Sequence, residues 1–483
     1  MHLLLLIILV IDIKVIVGLA TMNNIVIDEY SDNGIKLKSF SLPISSSISE
    51  VKSKIINNEK KNSFNLNSYK IFNIVKTALL PIGYPNTVPS EYIDYQKWNM
   101  VQAMCSYFRT IMSTASVLEG FGVGNPDMTA VGAAVQWIIR DGVSLLGGLA
   151  FTLVSAGSFG QHVKGWRLFA DNINNLALGL DMLAPLSKKY FLLIICFASL
   201  CKCLCGVSAG AVNAAIMSHF GSEHQNVADI QSKNGAQWTV VNLILLLVSI
   251  RFTEFATKNS IRMWTIYGLL TILHMYANIS MMKILSLNTL NIDRFSILTK
   301  RILNSSALLK EAIINSNSKI DDSSIQKEIE TFILSSSSIS LSSVARNDNL
   351  FPFDLSYYLH QIQKKDYYTH LWCPLSLIMK RIPTAEISKK FNNNNDDNYV
   401  IFKSDSYKQI YVCFSDKANS IDYARAIVEA NLYNIDNNIA SATSKKYMSI
   451  IFPTILPSLN KRSWDTSKLL LKPHNAKVYK LNV

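Results

Sequence analysis

Four stretches without a charged side chain constrain this sequence more than any other feature. They run over residues 143–163, 203–222, 234–250 and 263–282. Each is close to the roughly 20 apolar residues that a helix needs to cross the hydrocarbon core of a bilayer. A helix that is apolar on every side either lies deep inside a large protein or spans a membrane. The pattern therefore predicts a mainly α-helical domain whose helices are shielded from water.

Small and aromatic residues in these stretches favour a membrane over a soluble core. Gly206, Gly210 and Ala214 recur at four-residue spacing, which lets helix backbones approach closely in lipid. Trp264 and Tyr276 lie towards the ends of the last stretch, where amphipathic rings favour the membrane interface. A large water-soluble all-α core is the alternative. We predict a multi-helix membrane bundle with a small C-terminal α/β unit, in a membrane whose organelle and topology the sequence leaves open.

Composition agrees with lipid as the main partner. Charged residues make up 17% of the chain, against about 25% in a typical soluble domain. The formal net charge is +13, but the lysines and arginines are scattered and form no basic run interleaved with aromatic residues. This distribution argues against nucleic-acid binding.

Composition also divides the chain into six segments. In order, we predict a signal or anchor segment at 1–20, a polar leader at 21–76, the helical membrane domain at 77–294, a Ser/Asn-rich linker at 295–350, a small α/β domain at 351–440 and a basic tail at 441–483. The first segment lacks a basic start, and Asp12 and Lys14 interrupt it, so a buried apolar segment or a misplaced start codon is the alternative. Serine and asparagine dominate the linker, and such segments bury too little apolar surface to fold alone.

Alternation and periodicity shape the α/β domain. Tyr399–Lys403 and Gln409–Phe414 are predicted strands, since both are rich in β-branched and aromatic residues. Residues 420–433 are predicted to form a helix with Ser420 as its N-cap.

Two polar stripes with helical spacing are the candidate binding residues. The first joins the four residues Asn226, Asp229, Lys233 and Gln237, and the second joins Lys164, Arg167, Asp171 and Asn175. Spacings of three and four place each set on one helix face. The stripes either line a polar cavity for a small anionic or zwitterionic molecule, or interlock with each other or face solvent as structural residues. Ionisable groups at membrane depth usually face the interior of a bundle.

A charged pair interrupts the apolar stretch at 128–157. Arg140 and Asp141 precede Gly142, which suggests a helix–turn–helix corner with glycine in the turn. The alternative is a broken helix that presents the charge pair to a ligand.

The sequence contains no recognisable catalytic or metal site. Cys201, Cys203 and Cys205 lack the paired spacing of a structural zinc site, and we interpret them as core residues, with palmitoylation as a minor alternative. His162, His219 and His274 are isolated and are interpreted as packing residues. We find no nucleophile elbow, catalytic triad order or HExxH motif, and therefore expect no metal and no cofactor.

A series of ordered motifs resembles the root UVB sensitive family. They are LLPIGYPNTV (79–88), EYIDYQKW (91–98), LEGFGVG (118–124), WIIRDG (137–142), KGWRLFADNINN (164–175), NVADIQSKNGAQ (226–237), LHMYANI (273–279) and SLNTLNIDR (286–294). The resemblance covers roughly residues 77–294, and more weakly 351–433. It implies a domain linked to vitamin B6 homeostasis and UV-B response, often membrane-associated, whose biochemical activity is poorly defined.

Three functions are compatible with these observations. The favoured one is a non-enzymatic membrane protein that acts as a scaffold or regulator in vitamin B6-linked homeostasis, with a family paralogue or a second copy as protein partner. The second is a small-molecule transporter with the polar stripes along its path. The third is a soluble pyridoxal-related enzyme, in which Lys164 or Lys233 would form a Schiff base.

Overall fold

The computed structural model describes most of the chain from residue 75 onwards and two strands before it. The described residues are 24–30, 36–43, 75–122, 130–155, 157–222, 224–314, 320–348, 368–392, 398–404, 406, 408–436, 439–472 and 478–479. The predicted signal or anchor segment at 1–20 lies outside this part. Of the predicted leader, the structure describes a hairpin in which β1 (Asn24–Tyr30) pairs antiparallel with β2 (Lys36–Pro43).

Long helices dominate the first half, as the sequence predicts. They are α1 (Tyr92–Gly120), α2 (Ala130–Ser155), α3 (Val163–Leu183), α4 (Phe191–Gly221), α5 (Val227–Thr257) and α6 (Ser260–Ile284). The start of α6 shows how local sequence sets a boundary. Asn259 lies in the extended region, and its side chain accepts a hydrogen bond from the Ile261 backbone, which satisfies one of the free amides of the first turn.

Three of these helices are long and apolar enough to cross a membrane, among the residues that the structure describes. They cover Val131–Ser155, Phe191–Gly221 and Val227–Thr257. The fourth predicted stretch, 263–282, folds as part of α6, but this helix is not apolar enough to count as a membrane-crossing candidate. The reason is visible in its sequence, since Thr271, His274 and Asn278 give α6 a polar face.

The α2 helix continues through the residues that were predicted to break it. Arg140, Asp141 and Gly142 all lie within the helix, so both the predicted corner and the predicted broken helix are wrong. Arg140 bonds to the neighbouring Asp141 at 2.8 Å and lies 3.7 Å above the Trp137 ring. These local contacts accommodate the charges on the helix surface without a turn.

Close helix approach occurs at two glycines of α2, and not at Gly206 and Gly210 of α4. A Cβ atom on Gly147 would overlap the end of the Leu200 side chain, and one on Gly148 would overlap the Cys203 sulfur, so the small residues let α2 and α4 pack closely here. No atom of the described residues lies within 4 Å of the corresponding position at Gly206 or Gly210. The predicted close approach at those two residues is therefore wrong within this chain, and their face of α4 is open.

The second half combines short helices with small sheets. The helices are α7 (Ile292–Ser305), α8 (Ala307–Ile314), α9 (Asp322–Ser335), α10 (Leu341–Ala345), α11 (Leu375–Ile378), α12 (Thr384–Asn392), α13 (Ser420–Leu432) and α14 (Ser441–Lys461). The strands are β3 (Thr289–Asn291), β4 (Tyr368–Leu371), β5 (Tyr399–Ser404), β6 (Gln409–Ser415), β7 (Asp465–Leu470) and β8 (Val478–Tyr479).

The larger sheet is built around β6. Its partner β5 is antiparallel, whereas β4 and β8 both run parallel to it. The predictions for β5, β6 and the helix α13 are confirmed to within one or two residues. The predicted N-cap is wrong, because Asn419 and not Ser420 caps α13, in a capping box with Asp422. An asparagine oxygen that accepts from two backbone amides is a more complete cap than serine at the next position.

The predicted linker at 295–350 is wrong in its described residues. They form α7 to α10, and one hydrophobic core joins these helices to the sheet and to α13 and α14. Ile325, Ile329 and Ile333 recur at four-residue spacing on α9 and are fully buried. Two of the serines are N-caps, since the side chains of Ser336 and Ser340 accept backbone hydrogen bonds at the starts of short helices. Composition alone therefore obscured an amphipathic pattern.

The predicted basic tail at 441–483 is also wrong in its described residues. The α14 helix packs on α9 and α13, and Ile451, Ile455 and Leu459 bury its apolar face. After it, β7 pairs in parallel with β3. The lysines of α14 lie towards its two ends, at 445, 446 and 461, so a basic composition concealed an ordinary packed helix and strand.

Contacts divide the chain into two units. One contains residues 1–100 and 220–247, and the other contains 101–219 and 248–483. In the first unit, Tyr92 and Tyr95 pack edge-on against Phe220. The second unit contains a small hydrophobic core, formed by Met112, Leu178, Met182, Ala256 and Tyr267.

Candidate functional site

Three helices of the second unit carry polar side chains on the faces that meet inside it. We call this set the polar core; its residues are Gln102, Ser106 and Arg109 from α1, Arg167, Asp171 and Asn175 from α3, and Tyr267, Thr271, His274 and Asn278 from α6. Spacings of three and four keep each group on one helix face. Polar groups can lie between apolar helices only if they satisfy one another or a ligand.

At one end of the polar core, three side chains bond to one another. Gln102 donates to Asp171 at 2.6 Å, while Arg167 donates to the Gln102 amide oxygen at 2.8 Å and to Asp171 at 3.1 Å. Asp171 and Arg167 therefore neutralise each other, and the Gln102 amide connects α1 to α3.

Arg109 is fully buried and bonds only to neutral groups. Its Nη1 donates to Asn175 Oδ1 and, at 3.4 Å, to Thr271 Oγ1, and its Nε donates to the Cys105 carbonyl at 3.3 Å. Tyr267 holds the same region of α3 through a 3.0 Å hydrogen bond to the Asn175 carbonyl. Burial lowers the pKa of Arg109. In the described part of the chain, no carboxylate lies within ion-pair distance of this guanidinium.

His274 completes the polar core as a neutral side chain. Its Nε2 lies 3.5 Å from Ser106 Oγ and 4.0 Å from Asp171 Oδ1. Burial, with Arg109 and Arg167 nearby, lowers the pKa of His274 to about 3. The imidazole is therefore uncharged at neutral pH, and two arginine charges face a single carboxylate in the polar core.

Several buried atoms of the polar core have no hydrogen-bond partner among the described residues. They are Arg109 Nη2, His274 Nδ1 and both amide atoms of Asn278. Native proteins leave few buried polar atoms unpaired, and each one calls for an explanation such as a water or a ligand.

A neighbouring ion pair lies nearly two turns beyond Asn175 on α3. Asp181 accepts from Ser113 at 2.7 Å and forms an ion pair with Lys202 of α4. This carboxylate is thus matched by its own cation, and it adds no net charge to the region.

Lys164 lies apart from the rest of its predicted stripe. Its ammonium donates to the Ala345 carbonyl at 3.1 Å and lies 3.5 Å from Asp348, which also binds Arg294 at 2.9 Å. Burial lowers the pKa of Lys164 to about 8, with a further lowering by Arg294 and an opposing effect of Asp348. The arrangement joins the start of α3 to the end of α10.

The other predicted stripe contacts the loop at 79–88 within the first unit. Asp229 accepts from the Ile82 backbone at 2.8 Å, Gln237 donates to the Leu79 carbonyl at 2.6 Å, and Asn226 donates weakly to the Thr87 carbonyl at 3.5 Å. The expected pair between Asp229 and Lys233 forms at 3.7 Å. These contacts fasten a loop, which is a structural use of the stripe.

Sequence reasoning thus found part of the polar core and missed the rest. Arg167, Asp171 and Asn175 come together as expected, whereas Lys164 does not. Arg140 and Asp141 pair with each other on α2, where the Asp141 side chain is 57% exposed and that of Arg140 is 18% exposed. Arg109 was not singled out, and His274 was interpreted as an isolated packing residue. A signal was present, since residues 102, 106, 109 and 113 repeat the spacing of residues 267, 271, 274 and 278.

The fold and this interior define a multi-helix protein with a buried, partly unsatisfied polar core. A family model described as the vitamin B6 photo-protection and homoeostasis domain matches residues 65–306, which include the whole polar core. The chain belongs to the root UVB sensitive family.

Relatives with curated descriptions agree with this assignment. Protein root UVB sensitive 3 of Arabidopsis thaliana is 34% identical over 242 residues, which are 50% of this chain and 55% of the relative. RUS family member 1 of Dictyostelium discoideum is 34% identical over 223 residues, which are 46% of this chain and 42% of the relative. Protein root UVB sensitive 2, chloroplastic, of Arabidopsis thaliana is 28% identical over 223 residues, 46% of this chain and 51% of the relative. The chain thus spans about half the length of these relatives. No solved structure matches it.

Proposed function

We propose that this chain is a membrane-embedded, non-enzymatic protein that acts as a regulator or scaffold in vitamin B6-linked homeostasis. The proposed surroundings are a lipid bilayer. The proposed protein partner is a second copy or a family paralogue, and the proposed ligand is a small anionic or zwitterionic metabolite. Support for the metabolic link comes from the description of the matching family model.

Exposed apolar side chains on the candidate spans carry the membrane part of the proposal. On α2, Leu145, Leu146 and Leu153 are each more than 70% exposed, and on α5 Leu247 is 74% exposed. Only 11% of the most apolar segment of α2 is buried within the chain. Water-soluble monomers rarely expose apolar patches of more than a few hundred Å². Lipid chains cover such helices at no cost, because they are as apolar as leucine.

The surroundings of the two candidate lysines support a non-enzymatic role. A Schiff-base lysine needs an accessible, uncharged amine. Lys164 is 1% exposed and bonds to a carbonyl beside Asp348. Lys233 lies beside Asp229, which holds the loop amide of Ile82. Both amines thus make contacts within the fold, which favours a structural use of the two lysines over Schiff-base chemistry.

Transport is a second candidate, and the polar core favours it. Arg109, His274 and Asn278 are fully buried between α1, α3 and α6, and buried ionisable groups in a membrane protein often mark a substrate path. Reconstituted protein would then move a metabolite across the vesicle membrane, and Arg109→Gln would abolish the flux at unchanged protein abundance. A regulator binds without net flux, so a flux assay with pyridoxal as the first probe separates the two.

Alkaline carbonate extraction of the expressed full chain tests membrane embedding. We expect the protein to remain in the membrane pellet after the carbonate wash and to be released by detergent. Release by carbonate alone, followed by a monodisperse species in detergent-free buffer, would refute the proposal. A peripheral protein expressed in the same cells and released by carbonate serves as the control.

A further inference from the structure

The charge balance around Arg109 points to a missing anion. Its guanidinium is fully buried and stays protonated at any physiological pH. Its bonding partners in the described part of the chain, the Cys105 carbonyl, Asn175 and Thr271, are neutral. The nearby carboxylate of Asp171 is already paired with Arg167 at 3.1 Å. A buried cation without a counter-charge is strongly unfavourable.

The polar core also contains unpaired atoms, on the α1 and α6 faces that line it. Among the described residues, Nη2 of Arg109 has two N–H groups and no acceptor, and Nδ1 of His274 has no partner. Asn278, one turn beyond His274 on the same face of α6, is fully buried, and both of its amide atoms lack a partner within the described part of the chain. Water can satisfy such atoms but cannot balance the arginine charge, whereas an anionic oxygen does both.

We propose that the polar core binds one small oxyanion, the carboxylate or phosphate ester group of a metabolite. The free Nη2 of Arg109 supplies the charge-assisted hydrogen bonds. The Asn278 amide and the neutral His274 imidazole add uncharged hydrogen bonds, which favour an anion without requiring a second cation. This inference names the ligand class for the proposed function and rests on it for the biological role, but not for the binding chemistry.

Thermal unfolding of the full chain in detergent, titrated with inorganic phosphate and separately with acetate, tests the site. Sodium chloride holds the ionic strength constant. We expect a saturable rise of the midpoint with at least one oxyanion, since a ligand that binds only the folded state stabilises it. A response to phosphate alone assigns a phosphate ester, and a response to acetate alone assigns a carboxylate. No saturable response of the unaltered chain to either anion would overturn the proposal.

Three variants separate binding from a purely structural role. Arg109→Gln should weaken the apparent affinity at least about tenfold, because it removes a charge-assisted hydrogen bond. Asn278→Leu keeps the side-chain volume and should weaken the affinity several-fold, while the ligand-free chain becomes more stable. Arg251→Gln is the matched control, since Arg251 has an 87% exposed side chain, and its affinity should not change.

The second variant keeps the test decisive if Arg109→Gln fails to fold. An unchanged affinity in a folded Asn278→Leu variant would overturn the site as proposed. Carbonate extraction tests membrane embedding and the anion titration tests the binding site, so each proposal can be refuted without the other. A chain released by carbonate that still binds phosphate through Arg109 would refute membrane embedding alone, and an embedded chain without anion binding would refute this inference alone.

Discussion

The Nζ atom of Lys164 lies 3.5 Å from Oδ2 of Asp348, with both side chains at most 3% exposed. Arg294 binds the same carboxylate oxygen at 2.9 Å. One carboxylate therefore serves two buried cations, and it ties the start of α3 to the residues that follow α10. Asp348 lies outside the region matched by the family model, whereas both cations lie inside it.

Replacing Asp348 should destabilise the chain more than replacing Lys164. Asp348→Asn leaves two cations buried without a carboxylate, and breaking a buried ion pair in this way costs about 3–5 kcal/mol. Lys164→Met leaves the pair between Arg294 and Asp348 intact, and we expect a smaller loss. The midpoint of thermal unfolding in detergent measures both. Equal midpoints for the two variants would contradict a shared carboxylate.

The contribution of Lys164 to stability should change with pH. Burial lowers the pKa of Lys164 from 10.5 to about 8 in the folded chain, and Lys164 lies outside the three candidate spans. Between these values the unfolded chain binds more protons, so stability rises with pH as the amine becomes neutral. The unfolding free energy of the unaltered chain, relative to Lys164→Met, should rise by roughly 3 kcal/mol from pH 8 to pH 10.5. Parallel pH profiles of the two proteins would show that this pKa is not lowered.

The loop at 79–88 should loosen when Asp229 is removed. Asp229→Ala deletes the acceptor of the Ile82 amide and the partner of Lys233, and losing a hydrogen bond of this kind costs about 0.5–1.5 kcal/mol. The Ile82 amide should then exchange its hydrogen faster. Asp94→Ala is the control, because Asp94 forms only an exposed surface pair with Lys97, which contributes less than about 1 kcal/mol. Similar exchange at Ile82 in both variants would count against the fastening role of Asp229.

Charges on the exposed face of α2 should impair membrane insertion. Leu146 and Leu149 are 73% and 62% exposed, and a charged residue at the centre of a spanning helix costs about 3 kcal/mol. The double variant Leu146→Glu/Leu149→Glu should therefore lose carbonate-resistant protein. Ile314→Glu is a matched control, since Ile314 is 64% exposed on α8, outside the candidate spans. If both proteins are lost equally, general instability and not lipid contact explains the effect.

Local pattern was a reliable guide to the strands and the helix at the centre of the α/β unit. The strands β5 and β6 and the helix α13 follow from alternation and periodicity. Local composition gave wrong predictions for segments whose structure depends on packing against distant parts of the chain. The serine-rich stretch before residue 350 and the basic stretch after residue 440 both form packed helices, because a few isoleucines and leucines at helical spacing outweigh many polar residues on the opposite face.

The sequence alone determined the apolar helices, the family and the helix face shared by Arg167, Asp171 and Asn175. Only the tertiary structure decided which distant faces meet. In the structure, Arg109 and His274 contact that face of α3. Lys164 lies beside Asp348, and Asp229 bonds to the loop at 79–88. The physical reason is that helical spacing fixes a side chain's direction within one helix. Its partner depends on how helices tens of residues apart pack, and therefore on the summed burial of many apolar contacts.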